Sequence, residues 1–176
     1  MRIIVLTGRR AAGKGIFMEV AKERGIPVYE MSSVIFEWME KEGIKVSNES
    51  TAAFSQRIRG QYGNDIVARK LIEKIEEAPL IVISGARSKE EIGVFKKLGD
   101  VVVVEIEAST RVRYERTKER GREQDPKNYE EFVKRDEADN KLGQNDVLAL
   151  ADVKLKNEGS IEEFKEKVRD FLSTFS

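Results

Sequence analysis

The 176-residue sequence predicts an α/β fold in which a five-stranded parallel sheet is flanked by helices. Strand-like and helix-like stretches alternate along the chain, and this alternation favours right-handed crossovers and a parallel sheet. The runs 80–83 and 101–106 are strongly apolar and rich in β-branched residues, as expected of strands buried on both faces. A glycine-containing turn at 8–15 joins the first strand to a helix. The length is that of one domain, so we expect a single domain over residues 1–176.

The five strands are predicted at 2–7, 27–30, 80–83, 101–106 and 153–156, and apolar residues at helical spacing predict helices between them. Side chains able to cap helices precede several of these stretches. The predicted caps are Ser32 or Ser33, Ser50 or Thr51, Asn64, Ser88 with Glu91, Ser109 or Thr110, Asn128 with Glu131, and Ser160 with Glu163. Phe36 and Trp38, on the second predicted helix, are expected in the core.

The composition narrows the possible chemistry. Lys plus Arg and Asp plus Glu each total 32, so no net charge favours nucleic acid or an anionic membrane as a partner. Cys and His are absent, which excludes disulfides, thiolate metal sites and imidazole bases. Phosphoryl transfer, which depends on positive charge and positioning, fits the remaining side chains.

The same composition bears on the setting of the protein. No apolar run has the length of a membrane span, and we expect a cytoplasmic monomer or homodimer. A charged fraction of 36% without Cys is typical of proteins from thermophiles.

The turn after the first strand carries the strongest motif, since Gly8, Gly13 and Lys14 match the pattern G-x-x-x-x-G-K. In such a loop the backbone N–H groups, here those of 11–15, surround phosphate oxygens and the lysine ammonium reaches the β and γ phosphates. The alternative is a glycine-bearing turn with an incidental surface lysine. Gly15 stands where a Ser or Thr hydroxyl would bind Mg²⁺.

Arg9 and Arg10 occupy variable positions of this loop. They are either solvated surface residues or a source of positive charge that partly replaces a metal ion.

Two residues at the end of the third strand fall on the edge where parallel sheets bind ligands. Arg87 could grip a phosphate bidentately there, or it could pair with Glu90 or Glu91. Ser84 ends the strand at a position from which a carboxylate would hold Mg²⁺ or orient an acceptor.

The segment 111–139 is rich in charge and poor in apolar surface. It predicts either a solvated pair of salt-bridged helices or a lid that brings cations to a phosphoryl group. Its candidate cations are Arg116, Arg120, Arg122 and Arg135. Arg57 and Arg59, between the second and third strands, could bind a second substrate or face water.

These motifs together resemble the P-loop kinases of the nucleoside monophosphate kinase type. The chain is most similar to the archaeal adenylate-kinase-related, dephospho-CoA-kinase-like proteins, an uncharacterised family. The resemblance covers nearly the whole chain. It rests on the loop 8–14, on 83–88 followed by Glu91 and Phe95, on Arg116 with 120–122, on Arg135-Asp136, and on 150–152 followed by 157–160.

The resemblance implies ATP with Mg²⁺, an acceptor-binding insertion at about 32–63 and a lid at about 120–135. It implies that Lys14 binds the transferred phosphate, that 157–159 lie near the purine base, and that the lid arginines close over the phosphates. Nucleotide-binding residues are then Gly8, Arg9, Arg10, Ala11, Ala12, Gly13, Lys14, Gly15, Ile16, Arg116, Arg122, Asn157 and Gly159. The catalytic set is Lys14, Arg87, Arg120 and Arg135, and the acceptor set is Arg57, Arg59 and Arg87.

Three departures from the family pattern concern the metal and the acceptor. Gly15 is followed by Ile16 instead of Thr, Ser84 replaces an acid, and Ser32 or Ser33 replaces another. We therefore expect an ATP-dependent phosphotransferase for a small nucleotide-like acceptor, a nucleoside monophosphate or dephospho-CoA. The alternative is a nucleotide-binding regulatory protein of the same fold whose kinase activity is lost or very weak. An RNA- or protein-associated ATPase is a third possibility, against which the neutral net charge counts.

Overall fold

A computed structural model describes residues 1–123, 125–139 and 145–176 of the chain. Its five strands form one parallel sheet in the order β2-β3-β1-β4-β5, which confirms the predicted fold class. The strands are β1 (Arg2–Gly8), β2 (Val28–Glu30), β3 (Leu80–Ser84), β4 (Asp100–Glu107) and β5 (Val153–Lys156).

Helices cover both faces of this sheet. In the described residues they are α1 (Lys14–Glu23), α2 (Met31–Lys41), α3 (Asn48–Tyr62), α4 (Ile66–Ile72), α5 (Lys89–Leu98), α6 (Thr110–Arg120), α7 (Tyr129–Asp139), α8 (Asn145–Leu148) and α9 (Ile161–Ser173). No helix in those ranges is long and apolar enough to cross a membrane.

The alternation of side chains along β1 divides the core into two layers. Ile3 and Val5 pack with α2, α3, α4 and α5 on one face, while Ile4 and Leu6 pack with α1 and α9 on the other. Successive side chains of a strand point to opposite faces, so a central strand must be apolar at every position. The uninterrupted apolar run of β1 follows from this requirement.

Several predicted helix caps were wrong by a few residues. Helix α2 begins at Met31, directly after β2 and without a side-chain cap, and the Ser33 hydroxyl instead donates to the Glu30 carbonyl. Ser47 caps α3, and Asp65 occupies the N-cap position of α4. Short polar residues cluster before these helices, and packing of the apolar stripe selects which of them begins the helix.

Other caps are confirmed. The hydroxyl groups of Ser88, Ser109 and Ser160 each accept a hydrogen bond from a backbone N–H three residues on, and Asn128 does the same through its amide oxygen. The pair Ser88 and Glu91 is only half of a capping box, because the Glu91 carboxylate accepts instead from the Arg87 N–H.

The core prediction fails for Phe36, which is 42% exposed. The buried stripe of α2 runs through Val34, Ile35 and Met39, and Phe36 lies beside it on the solvent side. Trp38 is partly buried and packs against the rings of Phe54 and Tyr62.

The register of the sheet brings the carboxyl ends of its strands to one edge. Gly8 lies beside Ile106, and Ser84 lies between Leu6 and Glu30. The turn that follows β1 therefore emerges at the centre of this edge, flanked by the ends of β3 and β4. Ligands of open parallel sheets bind at such an edge.

Candidate functional site

The loop between β1 and α1 depends on glycine at its two ends. At Gly8 (φ 156°) an added Cβ would lie 2.7 Å from the Ile106 carbonyl oxygen of the neighbouring strand. At Gly13 the φ is 118°, and an added Cβ would overlap the side-chain amide of Asn157. Between them Ala11 has a φ of 61°, which is rare for a residue with a side chain. The motif glycines are therefore required by close approach and by backbone conformation.

This backbone leaves amide N–H groups available in the loop. Within the described residues, the N–H groups of Ala11, Gly13, Lys14 and Gly15 donate to no acceptor. The predicted cradle needs one correction, because the Ala12 N–H closes a turn on the Arg9 carbonyl at 3.1 Å. Unpaired amides at a helix N-terminus form an anion site, since their dipoles favour negative charge there.

The carbonyl groups of the same loop are occupied by donors. The Lys14 ammonium donates to the Gly8 carbonyl at 2.5 Å, and it lies 3.4 Å from the Arg9 carbonyl. Arg113 Nη1 donates to the Arg10 carbonyl at 3.2 Å, and Asn157 Nδ2 donates to the Ala12 carbonyl at 2.8 Å. These donors therefore compensate the partial negative charge of the loop carbonyl oxygens, which point away from the free amide N–H groups.

Lys14 lies in a cationic environment. Burial, and after it the positive charge of Arg87, lowers its pKa to about 8, whereas Asp139 opposes the change. The Arg87 guanidinium is exposed and has no hydrogen-bond or ion-pair partner in the described residues. An anion beside Lys14 and Arg87 would offset the repulsion between their positive charges. This is consistent with the prediction that both residues bind phosphate.

Carboxylates of α7 engage the two arginines of the loop. Arg10 makes a bidentate ion pair with Asp139, at 3.0–3.2 Å, and Arg9 lies 3.7 Å from Asp136. Neither arginine is a purely solvated residue. The structure brings Arg10 into the electrostatic environment of Lys14.

Arg113 was not predicted from the sequence as a site residue, yet it is 1% exposed and contacts both the loop and α7. Its guanidinium forms a bidentate pair with Asp136 at 2.6 and 2.9 Å, and its Nε donates to the Ala108 carbonyl. The signal was weak, because a charged residue on a highly charged helix gives no indication of burial. The sequence indicated its burial only through its helical spacing to Tyr114 and Thr117, which are also buried.

The predicted acceptor residues lie on α3. Arg59 pairs with Glu91 at 2.8 Å, and Glu91 is fully buried and also accepts from the Arg87 N–H at 2.7 Å. Burial raises the pKa of the Glu91 carboxyl, while Arg59 opposes this effect. Arg57 pairs with Glu42 at 2.5 Å on the surface. Arg59 is therefore linked to the turn that carries Arg87, whereas Arg57 is not.

The lid arginines engage acids of their own segment. Arg120 pairs with Asp125 at 2.6 Å, Arg135 lies 2.7 Å from Glu131, and Arg122 is exposed. Gln124, within the predicted lid, lies outside the described residues. In the described residues, neither Arg120 nor Arg122 is among the charges that shift the pKa of Lys14.

The segment 157–159 lies against the loop. Asn157 is 3% exposed, and its carbonyl and its side-chain oxygen both accept from Arg116 Nη2, at 2.5 and 3.2 Å. Arg116 Nη1 is buried and has no acceptor in the described residues. An added Cβ at Gly159 would overlap the Glu163 carboxylate.

These residues fit a nucleotide phosphate but offer little to Mg²⁺. Free amides, Lys14 and Arg87 match phosphate oxygens. Gly15 and Ile16 have no side-chain oxygen, and Ser84 offers a hydroxyl that is 6% exposed. Among the described residues no group of three or more Asp or Glu side chains could hold a metal ion. Phosphate oxygens of a nucleotide and water molecules would have to supply most ligands of a bound Mg²⁺.

Comparisons with known proteins agree with this architecture. A family model described as an AAA domain matches residues 7–133. A UPF0200 protein of Staphylothermus marinus is 44% identical over 163 residues, which cover 92% of this chain and 86% of the relative.

Solved structures share the fold at low sequence identity. TT1252 from Thermus thermophilus has a TM-score of 0.68 and 19% identity, covering 99% of this chain and 97% of that one. A shikimate kinase from Bacteroides thetaiotaomicron has a TM-score of 0.63 and 15% identity, covering 97% and 98%. The chain therefore shares the fold of these structures, matches the AAA domain model over most of its length and belongs to the UPF0200 family.

Proposed function

We propose that this protein is an ATP-dependent phosphotransferase that acts on a small nucleotide-like acceptor, a nucleoside monophosphate or dephospho-CoA. One observation carries the proposal: four loop amides that donate to no acceptor in the described residues lie beside Lys14, whose ammonium is repelled by the guanidinium of Arg87. Phosphoryl transfer is catalysed mainly by positioning and by stabilising charge on the phosphoryl oxygens, so this arrangement is suited to it.

The remaining predicted residues take roles within this proposal. Lys14 contacts the transferred phosphoryl group and Arg87 the acceptor phosphate, while Arg59 supports the Arg87 turn through Glu91. The insertion at about 32–63 holds the acceptor. The segment at about 120–135 acts as a lid, and Arg120 and Arg135 exchange their present carboxylate partners for phosphate when it closes.

A second candidate is a nucleotide-binding regulatory protein of the same fold. It is favoured by Ser84, which puts a buried hydroxyl where a kinase would place a carboxylate to orient metal or acceptor. Gly15, which lacks the hydroxyl for Mg²⁺, favours it as well. Binding would survive these changes better than transfer.

Two measurements separate the candidates. We expect titration calorimetry to show ATP binding by the wild-type protein and strong weakening in Lys14→Ala. Single-turnover transfer of the γ-phosphoryl group from ATP to AMP, and separately to dephospho-CoA, then tests catalysis. Transfer to either acceptor, lost in Lys14→Ala, supports the kinase. Tight ATP binding without transfer to any acceptor supports the regulatory protein, and absence of ATP binding contradicts both.

Variants of the loop arginines test whether a protein cation compensates for the missing metal ligand at Gly15. We propose that Arg10 supplies charge that a metal would otherwise provide, once phosphate displaces Asp139 from it. Arg10→Ala should then weaken ATP binding more without Mg²⁺ than with it, and Arg9→Ala serves as the matched comparison. Unchanged affinity of Arg10→Ala, with and without Mg²⁺, would exclude the idea.

A further inference from the structure

Two side chains from outside the loop each hold one carbonyl of the loop. Arg113, on α6, donates to the Arg10 carbonyl, and Asn157, after β5, donates to the Ala12 carbonyl. Both are nearly inaccessible to solvent, at 1% and 3% exposure. They approach the loop from elements more than a hundred residues away in sequence.

The peptide bonds of the described chain are trans, so a carbonyl and the following N–H point in opposite directions. Fixing the Arg10 carbonyl therefore fixes the direction of the Ala11 N–H. Fixing the Ala12 carbonyl does the same for the Gly13 N–H. These two amides are among the four that donate to no acceptor in the described residues.

The backbone of the loop needs such external support. Ala11 has a φ of 61°, a conformation that costs a residue with a Cβ free energy and persists only where surrounding contacts enforce it. The peptide units on either side of it are 10–11, held by Arg113, and 11–12, whose N–H is bonded to the Arg9 carbonyl.

The two holding side chains are themselves fixed. Arg113 is clamped by the Asp136 carboxylate and by the Ala108 carbonyl. The Asn157 amide has one orientation, because its oxygen accepts from the Arg116 guanidinium and its nitrogen must then face the Ala12 carbonyl. Asn157 is also anchored by its own N–H, which donates to the Glu107 carbonyl at 2.8 Å.

We propose that Arg113 and Asn157 are positioning residues that aim the Ala11 and Gly13 amides at nucleotide phosphates. This inference rests on the proposed function of the loop. It gives the Asn157 side chain a role different from the one that the family resemblance implies, because it acts on the phosphate site and not on the purine base. It gives Arg113 a role beyond a buried ion pair.

Asn157→Leu tests the inference, because leucine has nearly the same volume and cannot donate to the Ala12 carbonyl. The affinities of wild type and variant are measured for ATP and for inorganic tripolyphosphate, which has no base. We expect both ligands to bind about tenfold more weakly, as for the loss of one hydrogen bond to a charged group. Val168→Ala, in the core between α9 and α1, controls for lost stability, and circular dichroism verifies folding.

Each outcome is decisive. An equal loss for the two ligands supports positioning. A loss for ATP alone would show that Asn157 contacts the base, and unchanged affinities for both would also overturn its role. If wild type binds neither ligand, the proposed function fails and the positioning roles fail with it.

Arg113 needs a variant that leaves no unpaired buried charge. The double exchange Arg113→Met with Asp136→Leu removes the buried pair and the contact to the Arg10 carbonyl, and it preserves the net charge. We again expect a loss of about tenfold that is the same for ATP and tripolyphosphate. Wild-type affinity for tripolyphosphate in this folded variant would overturn the role of Arg113.

Discussion

The ammonium of Lys14 should destabilise the folded protein when no anion is bound. Its pKa is lowered from the ordinary value of 10.5 to about 8, first by burial and then by Arg87. At about 1.4 kcal/mol for each pKa unit, this difference means that folding destabilises the ammonium form relative to the neutral amine by about 3 kcal/mol. Lys14→Met keeps the length of the side chain and removes the charge. It should raise the free energy of unfolding at pH 7 by about 1–2 kcal/mol, because lost hydrogen bonds to loop carbonyls offset part of the gain.

The pH dependence separates this charge effect from a packing effect. Between pH 8 and 10.5 the unfolded chain keeps the Lys14 proton while the folded chain has lost it. The unfolded state then binds more protons, so the stability of wild type rises with pH relative to the variant. From pH 7 to 9.5, urea unfolding should show that the free energy of unfolding of wild type rises by about 2 kcal/mol relative to that of Lys14→Met.

A stability difference that does not change between the two pH values would refute this explanation of the site. Lys96→Met, at an exposed position of α5, measures the cost of the same exchange outside the site. Two side chains of similar helix propensity should differ little there.

The same ionisation should control ATP affinity. Only the ammonium form of Lys14 attracts phosphate, so the dissociation constant for ATP should rise about tenfold for each pH unit above about 8. Titrations from pH 7 to 10 measure the slope. A flat profile would mean that the Lys14 charge contributes little to binding.

Two further predictions concern Gly13 in the loop and Arg59 on α3, and free energies of unfolding test both. Gly13→Ala should cost about 2 kcal/mol or more, because its φ is 118° and a Cβ would overlap a side-chain amide, and it should weaken ATP binding. Gly15→Ala is its control: a Cβ there meets nothing within 4 Å, so stability should rise by about 0.5–1 kcal/mol. Arg59→Met should cost about 3 kcal/mol, because it leaves the buried carboxylate of Glu91 without its cation. The double variant with Glu91→Gln should recover most of this loss, and a single variant as stable as wild type would contradict the argument.

Short stretches of sequence were enough to predict the strands and the glycine-containing loop. The strands at 2–7 and 80–83 were predicted because a central parallel strand must be apolar at every position, which is visible in a short run of residues. The glycines of the loop were predicted because their conformation excludes most side chains. Helix starts at 31 and 48 were missed, since neighbouring polar residues can cap equally well in isolation.

Partners of charged residues could not be predicted in the same way. Glu91 was expected to cap α5, but folding buries it against Arg59, which lies 32 positions earlier. Arg113 was hidden in a charged helix, and its pairing with Asp136 depends on how α6 and α7 pack. The roles of the predicted site residues in binding and catalysis stay predictions, which the variants above test.

The sequence by itself determined the parallel sheet and the phosphate-type loop at its carboxyl edge, because hydrophobic periodicity and glycine conformation are local properties. Only the tertiary structure decided which donors face the loop carbonyls and how the cations around Lys14 are paired within the described residues. Those properties depend on distances between α1, α3, α6 and the segment after β5. Burial and electrostatic interactions act through space, so residues remote in sequence set the charge and the geometry of the loop.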